Sequence, residues 1–330
     1  MRKESDNKKK YFKYCLIGVL VVLLISASLM LLDGWEKRQG LFPSHEIKED
    51  FLLYNGQEYA LKKNIETFLV IGLDKFEGVS SSDSYNNDQQ SDFLLLLVFD
   101  NDEKRINAIH INRDTMANVN ILGVAGNKID TVKKQIALAH TYGNGRDVSC
   151  RNTADAVSDL LKGIRVNHYI SFAMDSVAVL NDLVGGVEVT VTEDFTGIDE
   201  ALVKGEKVTL MGEQALHYVR TRYGLEDSSN STRMKRQQQY INALYEKYTQ
   251  CVENDDSFVV ESSIAMSDYI VSDRSVTQLQ DLLKKFMEYD FIGIDDFEGK
   301  GAMGEKFAEF YADEDSIMSL VVELFYELKK

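Results

Sequence analysis

Residues 93–99 read FLLLLVF, an uninterrupted apolar run between Asp92 and Asp100. Two similar runs lie on either side of it in the chain, IETFLVIGL at 65–73 and RINAIHI at 105–111. Short continuous apolar runs are typical of strands that are buried on both faces. These three runs therefore predict the centre of a buried β-sheet.

Strand and helix patterns alternate downstream of these runs. Helical spacing predicts helices at 131–141, 153–162, 175–184, 212–219, 230–250 and 315–328. The helix at 153–162 has Asn152 or Thr153 as its N-cap and Gly163 just past its end. Strand patterns occur at 166–172, 187–191 and 291–294. We predict an α/β fold, a single domain over 65–330 with a central sheet and helices on both faces.

The N-terminal part of the chain predicts a membrane anchor. Residues 1–13 form a basic tail. The stretch Cys15–Leu32 is uncharged over 18 residues, which is about the length of helix that spans a bilayer core. We therefore predict a cytoplasmic tail at 1–13, a single transmembrane helix at 14–32, a stalk at 33–64 and an extracellular domain at 65–330. The alternative is a cleaved signal peptide with a small-residue site at Ser26–Ser28, although apolar residues continue beyond it.

The part of the chain beyond the anchor is strongly acidic. The whole chain has a net charge of −16, and the +4 of residues 1–32 leaves −20 on the remainder. Such a surface repels nucleic acid and anionic lipid, so we predict no nucleic-acid partner. Any anion site must be local.

One segment of this acidic chain collects positive charge. Residues 217–240, HYVRTRYGLEDSSNSTRMKRQQQY, include Arg220, Arg222, Arg233 and Arg236. If VRTR is extended, Arg220 and Arg222 share a side. With Asn230 or Ser231 as the N-cap, Arg233 falls in the first helical turn, where a cation is unfavourable unless an anion sits there too. The segment predicts an anion site; the alternative is a solvated basic face.

Acidic residues lie near the ends of the predicted strands. Asp74 closes the first run, Asp92 precedes the second, and Arg113 and Asp114 follow the third. Open α/β sheets bind ligands at strand ends, and carboxylates bridged to a phosphate commonly hold Mg²⁺. Each aspartate alone is equally consistent with a turn. Together with the arginines, they predict a metal-assisted phosphate site.

The order of these motifs resembles that of the LytR-CpsA-Psr family of cell-wall enzymes. The motifs in chain order are GLD, SDF, INRDT, NKID, AHTYG, NTADAV, LVGGVEV, LMGEQALHYVRTR and TRMKRQQ. The resemblance covers about residues 65–250 and extends more loosely to the C-terminus. It implies a single-pass membrane enzyme that transfers a glycopolymer from a polyprenyl-pyrophosphate carrier to peptidoglycan, with Mg²⁺ as cofactor.

The resemblance also implies roles for individual residues. Arg113, Arg220, Arg222, Arg233 and Arg236 are expected to bind pyrophosphate, with Lys128 and Gln237 lining the site. Catalysis is expected to involve Arg113, Asp114, Arg220 and Arg222, where Asp114 orients Arg113 or takes the proton of the attacking hydroxyl. The metal is expected at Asp74 and Asp92.

Four positions depart from the family pattern. Phe76 and Gln90 stand where the family often has arginines, Asn112 replaces a proline, and Asn230 replaces an aspartate. The first two remove positive charge from around the leaving diphosphate. Two other functions therefore remain open: a polyprenyl-phosphate sensor that transfers nothing, and a polyprenyl-pyrophosphate hydrolase.

Two cysteines beyond the anchor raise the question of a disulfide. Cys150 and Cys251 lie in the predicted extracellular part, where a disulfide can persist, and each is the only intramolecular partner of the other there. The alternative is two free thiols. The cysteine and histidine spacings do not match a zinc site.

Overall fold

The computed structural model describes residues 51–73, 87–222, 224–225, 229–255, 257–275, 278 and 289–329. The predicted tail and membrane helix at 1–32 lie outside these residues. Among the residues described, no helix is both long and apolar enough to cross a bilayer.

The described chain contains strands and helices in alternation. Strands β1 to β15 span Phe51–Tyr54, Gln57–Leu61, Ile65–Leu73, Ser91–Asp100, Arg105–His110, Met116–Leu122, Lys128–Gln135, His168–Ala173, Val187–Thr190, Lys207–Leu210, Ile270–Ser272, Asp290–Asp295, Gly299–Met303, Ala308–Ala312 and Tyr326–Leu328. Helices α1 to α6 span Asp147–Leu160, Ser176–Leu183, Glu213–Arg220, Asn230–Asn254, Phe258–Met266 and Glu314–Phe325. Short 3₁₀ helices cover Ile136–Thr141 and Ser267–Tyr269.

The three apolar runs form β3, β4 and β5, as predicted. They occupy the middle of a six-stranded sheet with the order β11-β8-β3-β4-β5-β12. Both β3–β4 and β4–β5 pair antiparallel, and β4 is buried along nearly its whole length. The continuous apolar runs therefore reflect burial of both faces rather than parallel pairing.

One face of this sheet packs against helices α1 and α6. The core there joins alternate residues of β3 and β4 to apolar residues of both helices: Leu69, Ile71, Leu94, Leu96, Val157, Leu160, Ile317, Val321 and Phe325. The opposite face, which includes Phe68 and its register partner Leu97, is also buried. This burial is the main stabilising contribution to the sheet.

Several predictions about local structure are wrong. Residues 326–328, predicted as the end of the last helix, form β15. Residues 51–61, assigned to the stalk, form strands β1 and β2, and β2 pairs with both β1 and the C-terminal β15. Residues 131–135, predicted as helix, belong to β7, which pairs with β6, and only 136–141 are helical. Helix α1 begins at Asp147 rather than after Asn152 or Thr153, because the Asn144 side chain accepts bonds from the backbone N–H groups of Arg146 and Val148.

The chain divides into two compact units where the sequence predicts a single domain. The sheet unit is the described part of Leu31–Ser171 with Val271–Arg274 and Phe291–Lys330, and the helical unit is Phe172–Ile270 with the described part of Ser275–Asp290. In the helical unit, α2 packs against α3 and α5, while α3, α5 and β9 pack against α4. Its helices bury their apolar faces against one another, which gives this unit a core of its own.

Candidate functional site

Chain segments that carry predicted site residues meet at one edge of the sheet. Because β3, β4 and β5 alternate in direction, the end of β3, the start of β4 and the end of β5 lie on the same edge. Leu73, which precedes Asp74, pairs with Ser91, which precedes Asp92. Asp74 itself lies outside the described residues, as does Phe76.

Asp92 occupies a β-bulge. Gly72 pairs with Phe93 and Leu73 pairs with Ser91, so Asp92 is the extra residue of β4 and has no register partner on β3. A bulge interrupts the ladder and re-aims the side chain of the extra residue, and such bulges are common beside active sites. The bulge therefore explains how an aspartate at the edge of an apolar strand comes to face Arg113.

The segment after β5 is a tight turn closed by Asn112. The Asn112 side chain accepts a hydrogen bond from the backbone N–H of Asp114 at 2.9 Å. The backbone carbonyl of Asn112 accepts from the N–H of Thr115 at 3.0 Å and from the hydroxyl of Thr115 at 2.6 Å. Asparagine closes turns in this way because its side chain mimics a backbone carbonyl. The asparagine at the family's proline position thus holds the Arg113–Asp114 pair in place.

Arg113 is surrounded by the other residues of this edge. Its guanidinium forms an ion pair with Asp92 through Nη1 and donates a hydrogen bond to Gln90 through Nη2. The Nε of Arg113 lies 3.6 Å from Oδ1 of Asp114. The Arg113 side chain is 15% exposed, so these contacts fix a guanidinium that still reaches the surface. The structure thus brings Arg113, Asp92 and Asp114 together, and adds Gln90.

Lys128 lies elsewhere in the sheet unit. It begins β7 and pairs with Leu122, whereas Gln135, at the other end of β7, contacts Asp114. The two positions are separated by the length of the strand, about 23 Å at roughly 3.3 Å per residue. The structure therefore does not place Lys128 beside Arg113, and its role as a site-lining residue stays a prediction.

Arg220 and Arg222 belong to the helical unit. Arg220 is the last residue of α3, and the chain becomes extended only at Thr221. The prediction that VRTR is a strand-like pair is therefore wrong. Both arginine side chains are half-buried.

Arg233 lies in the first turn of α4, as predicted, but the N-cap is Ser229 rather than Asn230 or Ser231. The Ser229 hydroxyl accepts a hydrogen bond from the N–H of Thr232 at 3.3 Å. Arg233 is buried and donates a hydrogen bond through Nη2 to the side-chain oxygen of Asn230. Asn230, which stands where the family usually has an aspartate, therefore still accepts a hydrogen bond from Arg233.

Arg236 and Gln237 join α4 to the end of α3. The Nε of Arg236 donates to the carbonyl of Tyr218 at 2.9 Å, Nη2 donates to the carbonyl of Thr221, and Nη1 forms an ion pair with Glu193. Gln237 donates to the carbonyl of Val219 at 3.2 Å. These donors satisfy carbonyls at a helix C-terminus, where a cation is also favourable. Both side chains are buried, and these contacts hold α3 against α4. Pyrophosphate binding by Arg236 and Gln237 stays a prediction of the family resemblance.

The guanidinium of Arg236 also packs on aromatic rings. It lies 5.4 Å from the centroid of Phe195 and 5.9 Å from that of Tyr218. Burial lowers the pKa of Arg236 to about 10, so the group remains charged at neutral pH. Glu193 was not predicted, because it is distant from the arginine segment in sequence.

The predicted disulfide is not formed. Cys150 and Cys251 are both free thiols. The Cys150 sulfur lies 3.7 Å from Nε2 of His140, and the Cys251 sulfur lies 3.7 Å from the carbonyl of Val184. Each sulfur therefore has its own surroundings within its own unit.

The contact between Cys150 and His140 supports the segment that leads into β4. His140 is fully buried, and its Nδ1 lies 3.0 Å from the carbonyl of Gln89, so Nδ1 carries the proton. Burial lowers the pKa of His140 to about 4 and raises the pKa of Cys150 to about 12. Both groups are neutral at pH 7, and the imidazole holds Gln89 next to Gln90.

Gln135, like Glu193, forms contacts that the sequence did not predict. Its side chain donates to Oδ1 of Asp114 at 3.0 Å and to the carbonyl of Ala308 at 2.6 Å. The sequence offered no signal for it, because residues 131–141 carry helical spacing. Among the described residues, no group of three or more histidine, cysteine or acidic residues is arranged to hold a metal ion.

The comparisons with known proteins identify the family. The chain matches the LytR_cpsA_psr family over residues 43–316, and it belongs to that family. It is similar to the polyisoprenyl-teichoic acid–peptidoglycan teichoic acid transferase TagU of Enterococcus faecalis, with 25% identity over 96% of each chain. It is also similar to the cell wall biosynthesis protein LcpA of Corynebacterium glutamicum, with 28% identity over 65% of this chain and 45% of the relative.

Solved structures show the same fold. TagT bound to LI-WTA matches 79% of this chain and 90% of its own with a TM-score of 0.57 and 21% identity. The protein gbs0355 from Streptococcus agalactiae matches 79% of this chain and 86% of its own with a TM-score of 0.62 and 19% identity. At these identities the likeness establishes the fold, a mixed α/β arrangement around a central sheet.

Proposed function

We propose that this protein is a membrane-anchored phosphotransferase that moves a glycopolymer from a polyprenyl-pyrophosphate carrier to peptidoglycan outside the cell membrane. The observation that carries the proposal is the Arg113 cluster, in which Asp92, Gln90 and Asp114 hold one guanidinium at the sheet edge. Family membership and relatives named as teichoic acid transferases support the same reaction.

The chemistry of the cluster suits phosphoryl transfer. Arg113 binds the diphosphate and stabilises the charge that develops on its oxygens. Asp114 takes the proton of the acceptor hydroxyl as that oxygen attacks the phosphorus next to the sugar. A bond forms between the acceptor oxygen and this phosphorus, the bond from the phosphorus to the bridging oxygen breaks, and polyprenyl phosphate leaves.

Charge balance adds a cation to the proposal. The guanidinium of Arg113 lies beside the carboxylates of Asp92 and Asp114, and carboxylate charge at this edge opposes the binding of a diphosphate. We propose that Asp74 and Asp92 hold Mg²⁺, since carboxylate oxygens are the ligands this ion prefers. When bound, Mg²⁺ supplies neutralisation of the diphosphate charge.

Arg220, Arg222 and Arg233 are proposed pyrophosphate ligands of the helical unit. Their roles come from the family resemblance, and the half-buried positions of Arg220 and Arg222 leave part of each side chain at the surface. The same resemblance extends this proposal to Arg236 and Gln237, whose donors also hold α3 against α4.

The test uses the full chain in lipid vesicles with a lipid-pyrophosphate-linked glycopolymer, Mg²⁺ and peptidoglycan oligomer. We expect polymer joined to peptidoglycan, and we expect Arg113→Ala to reduce the rate by about 100-fold or more because it removes a preorganised charge. Arg105→Ala is the matched control, since Arg105 lies exposed at the other end of β5. Free sugar phosphate as the product would indicate a hydrolase, and tight binding without turnover would indicate a sensor; either result contradicts the proposal.

A further inference from the structure

Gln135 connects the Asp114 carboxylate to a separate part of the chain. It is the last residue of β7, and its single amide nitrogen donates to Oδ1 of Asp114 at 3.0 Å and to the carbonyl of Ala308 at 2.6 Å. A carboxamide has two N–H donors, so one nitrogen serves both acceptors. Ala308 is the first residue of β14, in the hairpin formed by β13 and β14.

The backbone reinforces this connection. The N–H of Phe310 donates to the carbonyl of Asp114 at 2.9 Å, and Thr115 forms a parallel bridge with Phe310. On the other side of Gln135, the N–H of Ile136 donates to the carbonyl of Thr115 at 2.7 Å. The main chain on both sides of the contact is therefore fixed, so the contact between the Gln135 amide and Asp114 has a small cost in backbone conformational entropy.

We propose that Gln135 is the positioning residue for Asp114 and that it couples the β13–β14 hairpin to the site. The inference rests on the proposed function, in which Asp114 takes a proton. Gln135 and the Nε of Arg113 both approach Oδ1, so together they set the plane of the carboxylate and the direction of Oδ2.

The neutral charge of Gln135 matters for this role. An amide orients the carboxylate through a hydrogen bond and adds no charge to a position that already has the guanidinium of Arg113 beside it.

The first arm of the test is kinetic and uses the full chain in vesicles. In Gln135→Ala we expect kcat for transfer to fall about 10–100-fold, because a misdirected base loses part of its contribution. KM for the lipid-linked donor should stay about the same as in wild type, since the contacts of Arg113 with Asp92 and Gln90 are intact. Asn118→Ala is the matched control: Asn118 lies on β6, the partner strand of β7, and donates to Asp159 at 2.9 Å.

The second arm is hydrogen exchange at the Phe310 amide, which requires no activity. We expect faster exchange in Gln135→Ala and unchanged exchange in Asn118→Ala. A Gln135→Ala enzyme with the kcat of wild type, or with unchanged exchange at Phe310, would overturn the proposal. If the wild-type protein transfers nothing, the proposed function has failed, and exchange at Phe310 alone then decides for or against the coupling.

Discussion

At the scale of single residues, small local devices place charged groups at the end of an apolar sheet. The bulge at Asp92 turns its side chain toward Arg113, and the turn closed by Asn112 holds Asp114 in place. A regular strand would leave Asp92 in the β3–β4 ladder, and an open turn would let Asp114 rotate. The site thus depends on departures from regular structure at two positions.

His140 should make stability depend on pH. Its pKa is lowered from 6.5 to about 4 by burial, so between these values the unfolded chain binds a proton that the native protein does not. The free energy of unfolding should therefore decrease as pH falls from 6.5 to about 4, by about 3 kcal/mol in total from this group. Above pH 6.5 the imidazole contributes no pH dependence.

The measurement compares denaturant unfolding of wild type and His140→Asn across this pH range. Carboxylates titrate in the same range in both proteins, so the difference between the two curves isolates the imidazole. The wild-type curve should fall more steeply than that of the variant. Parallel curves would contradict the account of a buried neutral histidine.

At the scale of elements, α3 and α4 are joined by a buried cation. Arg236 is 1% exposed and pairs with Glu193, which is nearly as buried. In Arg236→Met we expect a loss of about 3–5 kcal/mol in the free energy of unfolding, because the variant leaves Glu193 as an uncompensated buried charge. Urea unfolding followed by circular dichroism measures it.

The control is an exposed ion pair in the same unit. Lys207 lies 2.8 Å from Glu188 on the surface, so Lys207→Met should change the unfolding free energy little. Equal effects of the two substitutions would show that Arg236 is not the buried structural residue described above.

These elements show how far a single sequence predicts this fold and its site. The apolar runs predicted the sheet, and strand-end charges predicted that Asp92, Arg113 and Asp114 come together. Gln135 and Glu193 escaped prediction, because their contacts join segments distant in sequence. The helical spacing of 131–135 misled because pairing with β6 outweighs local helix propensity.

At the scale of the whole molecule, residues 51–62 belong to the sheet unit rather than to a stalk. The Lys62 ammonium contacts Asp100 at 3.2 Å and donates to the carbonyls of Glu323 and Leu324 at the end of α6. Because a cation at a helix C-terminus is favourable, this contact ties the N-terminal hairpin to the C-terminal helix.

Truncation tests this assignment. A protein that starts at residue 65 should be less stable than one that starts at residue 51 by about 2 kcal/mol or more, since it lacks β1, β2 and the Lys62 contacts. Thermal unfolding of the two proteins measures the difference. Equal stability of the two would return residues 51–64 to the stalk.

The central claim is attack on the phosphorus next to the sugar. The most direct measurement places a radioactive label on that phosphorus of the lipid-linked donor and follows it after incubation of the full chain with peptidoglycan. The account predicts that the label enters peptidoglycan together with the polymer, with unlabelled polyprenyl phosphate released. Label that stays with the lipid while polymer is transferred would contradict it.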